Sequence, residues 1–260
     1  MIKIGVAQIA NTTSVERNFT AVKRMLARFE NKEVDVVLFP ECALSGFSAR
    51  MKECTESVVR PYLEEIHNWS FQTGIHVVLP TAIVQEGQVF NSGFWISPRN
   101  KTQFYKLGLT DSEKKFFSVP EESTPKVFSV KGYSFGVLIC MEAQLQPWSY
   151  FAREEVDAIL WPGYWGWTAT CQWAANNEEK ENLVHRNVKE WQKPLIQSNF
   201  AFNDLEGHSG AGPEGLSFVV NSKNELIHRG RHLLEEGFIV QLSKLNGQTE
   251  IVSCSESVFS

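Results

Sequence analysis

Short apolar runs recur along this chain, each about as long as one buried strand, and they constrain the fold more than any other feature. They span Ile2 to Ile9, Val34 to Phe39, His76 to Val84, Ser134 to Cys140, Ala158 to Trp161, Pro194 to Ser198 and Gly237 to Leu242. Runs without polar alternation are what strands covered on both faces require, so these segments predict a sheet core and not a set of half-exposed hairpins. Helical patterns lie between some of them. Val15 to Phe29 puts Val22, Met25, Leu26 and Phe29 on one face after the polar start Thr12-Thr13-Ser14, and Val58 to Phe71 brings Tyr62, Ile66 and Trp69 together at helical spacing. Glu178 to Trp191 is a third, more polar helix candidate. Hairpin-like pieces around Gln88 to Lys106 and Leu216 to His228 follow, so the expected class is α/β with mixed rather than purely parallel sheets.

A length of 260 residues with 43 % apolar composition suffices for one domain spanning 1–260, and no linker, repeat or compositional shift divides it. The formal charge of −5 is spread over interspersed acids and bases, which argues against nucleic acid and for a small-molecule partner. No apolar run reaches the roughly 20 residues of a membrane span, and Met1-Ile2-Lys3-Ile4-Gly5 reads as a strand and not an export signal, so a cytoplasmic protein is expected. The cysteines, Cys42, Cys54, Cys140, Cys171 and Cys254, are odd in number and widely spaced, which suggests neither a disulfide framework nor a metal site.

Three strand ends carry reactive side chains. Val36 to Pro40 finishes on Glu41, Phe135 to Ile139 finishes on Cys140, and Gln103 to Tyr105 finishes on Lys106. At the carboxyl ends of strands the chain leaves the sheet, and side chains can converge on a crevice. Singly, each has an ordinary explanation: a loop acid, a buried thiol, a solvated lysine. Together they supply what acyl transfer from an amide needs, namely a nucleophile, a base that returns its proton to the leaving amine, and a cation facing the oxyanion alongside the Met141 N–H.

These residues resemble the nitrilase superfamily of carbon-nitrogen hydrolases. The resemblance is carried in order along nearly the whole chain by Ile4 to Gln8, Phe39-Pro40-Glu41 with Gly46-Phe47, Asn91-Ser92, Tyr105-Lys106, Gly136 to Cys140, Trp161-Pro162, Arg186, Asn199 and Gly215 to Ser217. It implies a four-layer αββα sandwich, a homodimer assembled through helices, and a Glu41-Lys106-Cys140 triad working through a thioester. No cofactor is expected, only a small amide substrate and water. A second glutamate shortly after the lysine is implied as well; Glu113 is the candidate, with Asp111 as the alternative. Trp161, Tyr164 and Trp165 are expected to line the pocket, Glu142 to act as a partner of the site, and Arg186 and Asn199 to be structural. Where the family pattern often carries an aromatic residue after the nucleophile and an arginine four places on, this chain has Met141 and Gln144, which weighs against a substrate carboxylate. Cys42 and Trp165-Gly166-Trp167 have no assigned role. Other readings stay open: a Cys-His hydrolase pairing Cys140 with His185, His208 or His228; a non-catalytic interaction protein on the same fold; and nitrile, N-carbamoyl or acyl-transfer chemistry on the same triad.

Overall fold

The computed structural model describes residues 1–122, 124–143, 149–165, 189–205, 212–255 and 257. In chain order the elements are β1 (Ile2–Gln8), β2 (Asn11–Thr12), α1 (Val15–Glu30), β3 (Val36–Leu38), α2 (Glu56–Thr73), β4 (His76–Gln85), β5 (Gln88–Ile96), β6 (Lys101–Tyr105), β7 (Val127–Val130) and β8 (Tyr133–Val137). There follow β9 (Ala158–Pro162), β10 (Leu195–Ser198), β11 (Asn203–Asp204), β12 (Phe218–Val220), β13 (Leu226–Arg229), β14 (Glu236–Leu245) and β15 (Gln248–Cys254). Each of the apolar runs contains a strand, and both hairpin-like pieces are hairpins, β5–β6 and β12–β13.

Two mixed sheets result. One has the order β15-β14-β1-β3-β4-β5-β6 and the other β13-β12-β10-β9-β8-β7, while β11 and β2 form a separate short pair. The sheets face each other across a core that includes Ile4, Val6, Leu38 and Trp95 from the first and Phe135, Leu160 and Val219 from the second. Because successive side chains point to opposite faces, the residues between these pack outward. Val37, Val77 and Leu79 meet Val22, Met25, Leu26 and Phe29 of α1 and Val59, Leu63 and Ile66 of α2. The α1 start is set by Ser14, whose side chain accepts the Arg17 N–H at 3.3 Å, one of the orphan donors of a helix N-terminus. On the outer face of the second sheet, Ile159, Trp161, Leu195 and Phe218 pack with Phe151, Trp165 and Trp191. The helix expected over 178–191 lies outside the described residues except for its last three, which are helical.

The sheet directions place the chemistry. β1, β3 and β4 are parallel, and so are β8, β9 and β10. β6 runs antiparallel to β5, which is antiparallel to β4, so β6 ends on the same side as β3. Glu41 follows β3, Lys106 follows β6, Cys140 follows β8, and Tyr164 follows β9.

Candidate active site

Lys106 has no exposure at all, and its ammonium sits between two carboxylates, 2.7 Å from Glu41 Oε1 and 2.5 Å from Glu113 Oε1. A buried charge is tolerated only when it is paired and hydrogen-bonded, and this one has two counterions. Glu113 is itself held by the Thr110 N–H, which donates to its second oxygen at 2.8 Å. Asp111 instead points outward and pairs with Lys114 on the surface at 2.8 Å. Between the two acids considered, the structure brings Glu113 to the lysine and leaves Asp111 out.

Glu41, also fully buried, receives the Asn91 Nδ2 hydrogen on Oε1 at 2.7 Å, and its Oε2 has no hydrogen-bond partner among the described residues. Burial holds its carboxyl above the usual glutamate range; the Lys106 cation pulls the other way, and Glu113 adds to the rise. Burial also disfavours the Lys106 ammonium, but Glu41, Cys140 and Glu113 together outweigh it and hold the lysine protonated above its ordinary range.

Cys140 opens a short 3-10 turn, Cys140–Ala143, with φ of 47°, the left-handed region that a non-glycine residue occupies at a cost of about 1–3 kcal/mol. Its carbonyl accepts the Trp161 Nε1 hydrogen at 2.8 Å, and its Sγ lies 4.0 Å from the Tyr164 carbonyl. Burial, and then the Glu41 charge, push the thiol upward, against the pull of Lys106. The thiolate is thereby disfavoured, so forming a nucleophile here calls for a base. Met141 is the second residue of the turn, and the N–H groups that open a helical turn have no partner within it.

The aromatic residues divide by location. Trp161 and Trp165 pack edge to face with ring centroids 4.7 Å apart, and both are buried in the outer cluster, so Trp161 braces the Cys140 backbone from the core side. Tyr164 stacks on Phe47 at 4.5 Å and lines a cavity of about 520 Å³ with Phe47, Arg50, Met51 and Phe116. The loop that carries Tyr164 is fixed by Asn199, whose side chain receives the Trp165 N–H at 2.9 Å and donates to the Trp165 carbonyl at 2.9 Å. Asn199 thus has the structural part expected of it. Gln144, Gly166, Trp167, Arg186, His185 and His208 lie outside the described residues, and the ring of His228 packs on Phe238 at 4.3 Å.

Two partners of the site are not legible in the sequence as such. Asn91 is among the residues that carry the resemblance, but its part in the site shows only in the fold, where its place in the middle of β5 across from Ala82 brings it beside Glu41. Lys126, preceding β7, is 2 % exposed and contacts both oxygens of Glu142 at 2.9 and 2.7 Å. Nothing in the sequence around Lys126 distinguishes it from a surface lysine. Among the described residues no group of three or more His, Cys, Asp or Glu side chains is arranged to hold a metal ion, and no helix is long and apolar enough to cross a membrane.

The family model for carbon-nitrogen hydrolases matches residues 3–180, well over half of the chain. The chain belongs to the carbon-nitrogen hydrolase family. No curated protein matches the sequence. Solved structures share the fold at low identity. A variant of the amidase from Nesterenkonia sp. AN1, with acrylamide added at its active-site cysteine, is 17 % identical, covers 94 % of each chain and has a TM-score of 0.76. The CN-hydrolase superfamily protein XC1258 from Xanthomonas campestris, with an arsenic adduct in its active site, is 16 % identical over 92 % of this chain and 89 % of its own, with a TM-score of 0.75. The glutamine-dependent NAD+ synthetase from Acinetobacter baumannii is 18 % identical with a TM-score of 0.76; 98 % of this chain is covered, but it spans only 48 % of the synthetase.

Proposed function

We propose that this carbon-nitrogen hydrolase is an amidase that cleaves a small amide through a thioester on Cys140. The observation that carries the reading is the fully buried Lys106 ammonium held between Glu41 and Glu113 at the strand ends where Cys140 also emerges.

In this reading Glu41 removes the Cys140 proton as the sulfur attacks the amide carbon. Burial makes it a better proton acceptor than an ordinary carboxylate, and the Lys106 cation favours its ionised form. The tetrahedral oxyanion faces the Lys106 ammonium and the Met141 N–H. Glu41 then gives the proton to the leaving nitrogen, the C–N bond breaks, and the thioester remains. Water, deprotonated by Glu41, attacks the thioester carbonyl; the C–S bond breaks and the proton returns to sulfur. Glu113 holds the lysine in place, and Tyr164 contributes to the substrate-facing wall. The other described cysteines, Cys42, Cys54 and Cys254, are free thiols, which agrees with a cytoplasmic setting, and a homodimer accords with the family.

Ammonia release from a panel of small amides, with a nitrile, an N-carbamoyl compound and free glutamine included, tests the proposal. Glutamine belongs there because one structural neighbour is glutamine-dependent. Turnover of an amide that falls on the order of 10³-fold or more in Cys140→Ala and in Lys106→Ala, with both variants folded by circular dichroism, is the expected result. Turnover that survives Cys140→Ala would overturn it. A modest loss in Lys106→Ala would favour a Cys-His scheme instead.

A further inference from the structure

Glu142 has no part in the steps above, yet it is the most heavily hydrogen-bonded carboxylate next to them. Its Oε2 accepts the N–H of Ile139, the residue before the nucleophile, at 2.8 Å. Its Oε1 accepts the N–H of Leu107, the residue after Lys106, at 2.7 Å, and that of Gly108 at 3.4 Å. Both oxygens meet the Lys126 ammonium, at 2.9 and 2.7 Å. Neither residue is exposed beyond 2 %.

We infer that Glu142 and Lys126 form a positioning clamp that fixes the Cys140 sulfur relative to the Lys106 ammonium. The inference rests on the triad reading above. Its physical basis is that Lys106 and Cys140 come from different sheets, and this one carboxylate is hydrogen-bonded to the backbone directly beside each of them. A carboxylate with backbone donors from two loops fixes their separation because moving either loop would strip a buried charge of its hydrogen bonds. Lys126 makes that charge tolerable. Its ammonium is 5.3 Å from the Tyr150 ring centre and 5.8 Å from that of Phe104, so the cation lies in a largely aromatic surround, and burial lowers its pKa against the pull of Glu142. The pair stands behind the reacting groups, and neither residue touches them in the reading above. Both are positioning residues.

The test uses the full chain and needs no substrate. The rate of Cys140 alkylation by iodoacetamide is measured against pH for the wild type, Lys106→Ala, Glu142→Gln and the double variant Lys126→Met/Glu142→Gln, with modification at Cys140 verified by peptide mass. Circular dichroism melts accompany each. Lys106 lowers the Cys140 pKa, so Lys106→Ala moves the alkylation profile to higher pH. If the clamp holds the two together, Glu142→Gln moves it in the same direction, and a profile displaced by about one pH step lowers the rate at neutral pH about tenfold. Glu142→Gln leaves Lys126 buried without a counterion and so weakens the fold. The double variant, in which no charge is stranded, keeps the test decisive: it is expected to fold and still to show the displaced profile. A folded double variant with the wild-type profile would overturn the clamp while leaving the triad intact. A wild-type profile that Lys106→Ala does not move would overturn the triad reading itself, and the clamp with it.

Discussion

Asn91 donates its Nδ2 hydrogen to Oε1 of Glu41 at 2.7 Å, the oxygen that also receives the Lys106 ammonium, which leaves Oε2 of the same carboxylate without a partner among the described residues. Cys42 fixes the sense of the Asn91 amide by placing its Sγ 3.8 Å from Oδ1. One carboxylate oxygen is thus committed to structure, and in the proposed mechanism the other moves the proton. In Asn91→Leu the carboxylate loses its second anchor, and kcat is expected to fall on the order of 10²-fold, the size of a general-base contribution, with KM little changed. Asn91→Asp adds a like charge and raises the Glu41 pKa further, so the acid limb of the kcat/KM profile moves to higher pH. Full activity in both variants would remove Asn91 from the account.

Lys106 is the only cation that the described structure places on Glu41 and Glu113. Lys106→Met strands two buried carboxylates and is expected to destabilise the protein by about 3–5 kcal/mol in chemical denaturation. Adding Glu113→Gln removes one of those charges, so the double variant should recover part of the loss. A double variant that is less stable by the sum of the two single losses would show that the three groups are not coupled.

The folded-state pKa of Glu41 lies above its unfolded value. Such a carboxyl contributes stability below the unfolded pKa, near 4.5, and loses that contribution as pH rises through the higher folded value. Glutamine resembles the protonated acid and has no such dependence. The Tm of Glu41→Gln minus that of the wild type should therefore become more positive between pH 4.5 and neutrality. A difference that is flat, or that runs the opposite way, would contradict the assigned environment of this carboxylate.

Gly46 has φ of +72°, and a Cβ there would lie 1.9 Å from the Thr12 carbonyl oxygen. Its N–H closes the turn after Glu41 on the Cys42 carbonyl at 2.8 Å. Gly46→Ala combines a disfavoured backbone with a clash against main chain and is expected to cost about 1–3 kcal/mol or more, seen as a Tm lowered by several degrees. An unchanged Tm would mean that this turn has room the structure does not indicate.

The legible parts of this protein are those with local causes. β1, β3 and β4 are apolar runs because both faces of each are covered, and α1 and α2 show one apolar stripe because only one face is. Glu41 and Cys140 stand out because each ends such a run, Lys106 because it closes a strand beside Phe104 and Tyr105, and Glu113 follows from the resemblance. β7 and β15 do not announce themselves: β15 runs along a sheet edge with much of its surface in water, so its burial pattern carries little apolar signal. The Lys126–Glu142 pair and the Asn91 contact depend on residues 16 and 50 positions apart in sequence being brought together by sheet register, which no local pattern encodes. The end of an apolar run suggests a pocket wall for Trp161, but strand alternation turns it into the outer core, where its indole holds the Cys140 carbonyl.

Intact mass during turnover reads acylation of Cys140 itself. The protein is mixed with an amide that it cleaves, quenched in acid within the first turnovers, and weighed beside Cys140→Ala treated in the same way. The expected result is a gain equal to the acyl group on the wild type, released by hydroxylamine as a thioester would be, and no gain on Cys140→Ala, which also releases no ammonia. Ammonia release by Cys140→Ala at the wild-type rate, or an acyl group found on any residue other than Cys140, would contradict it.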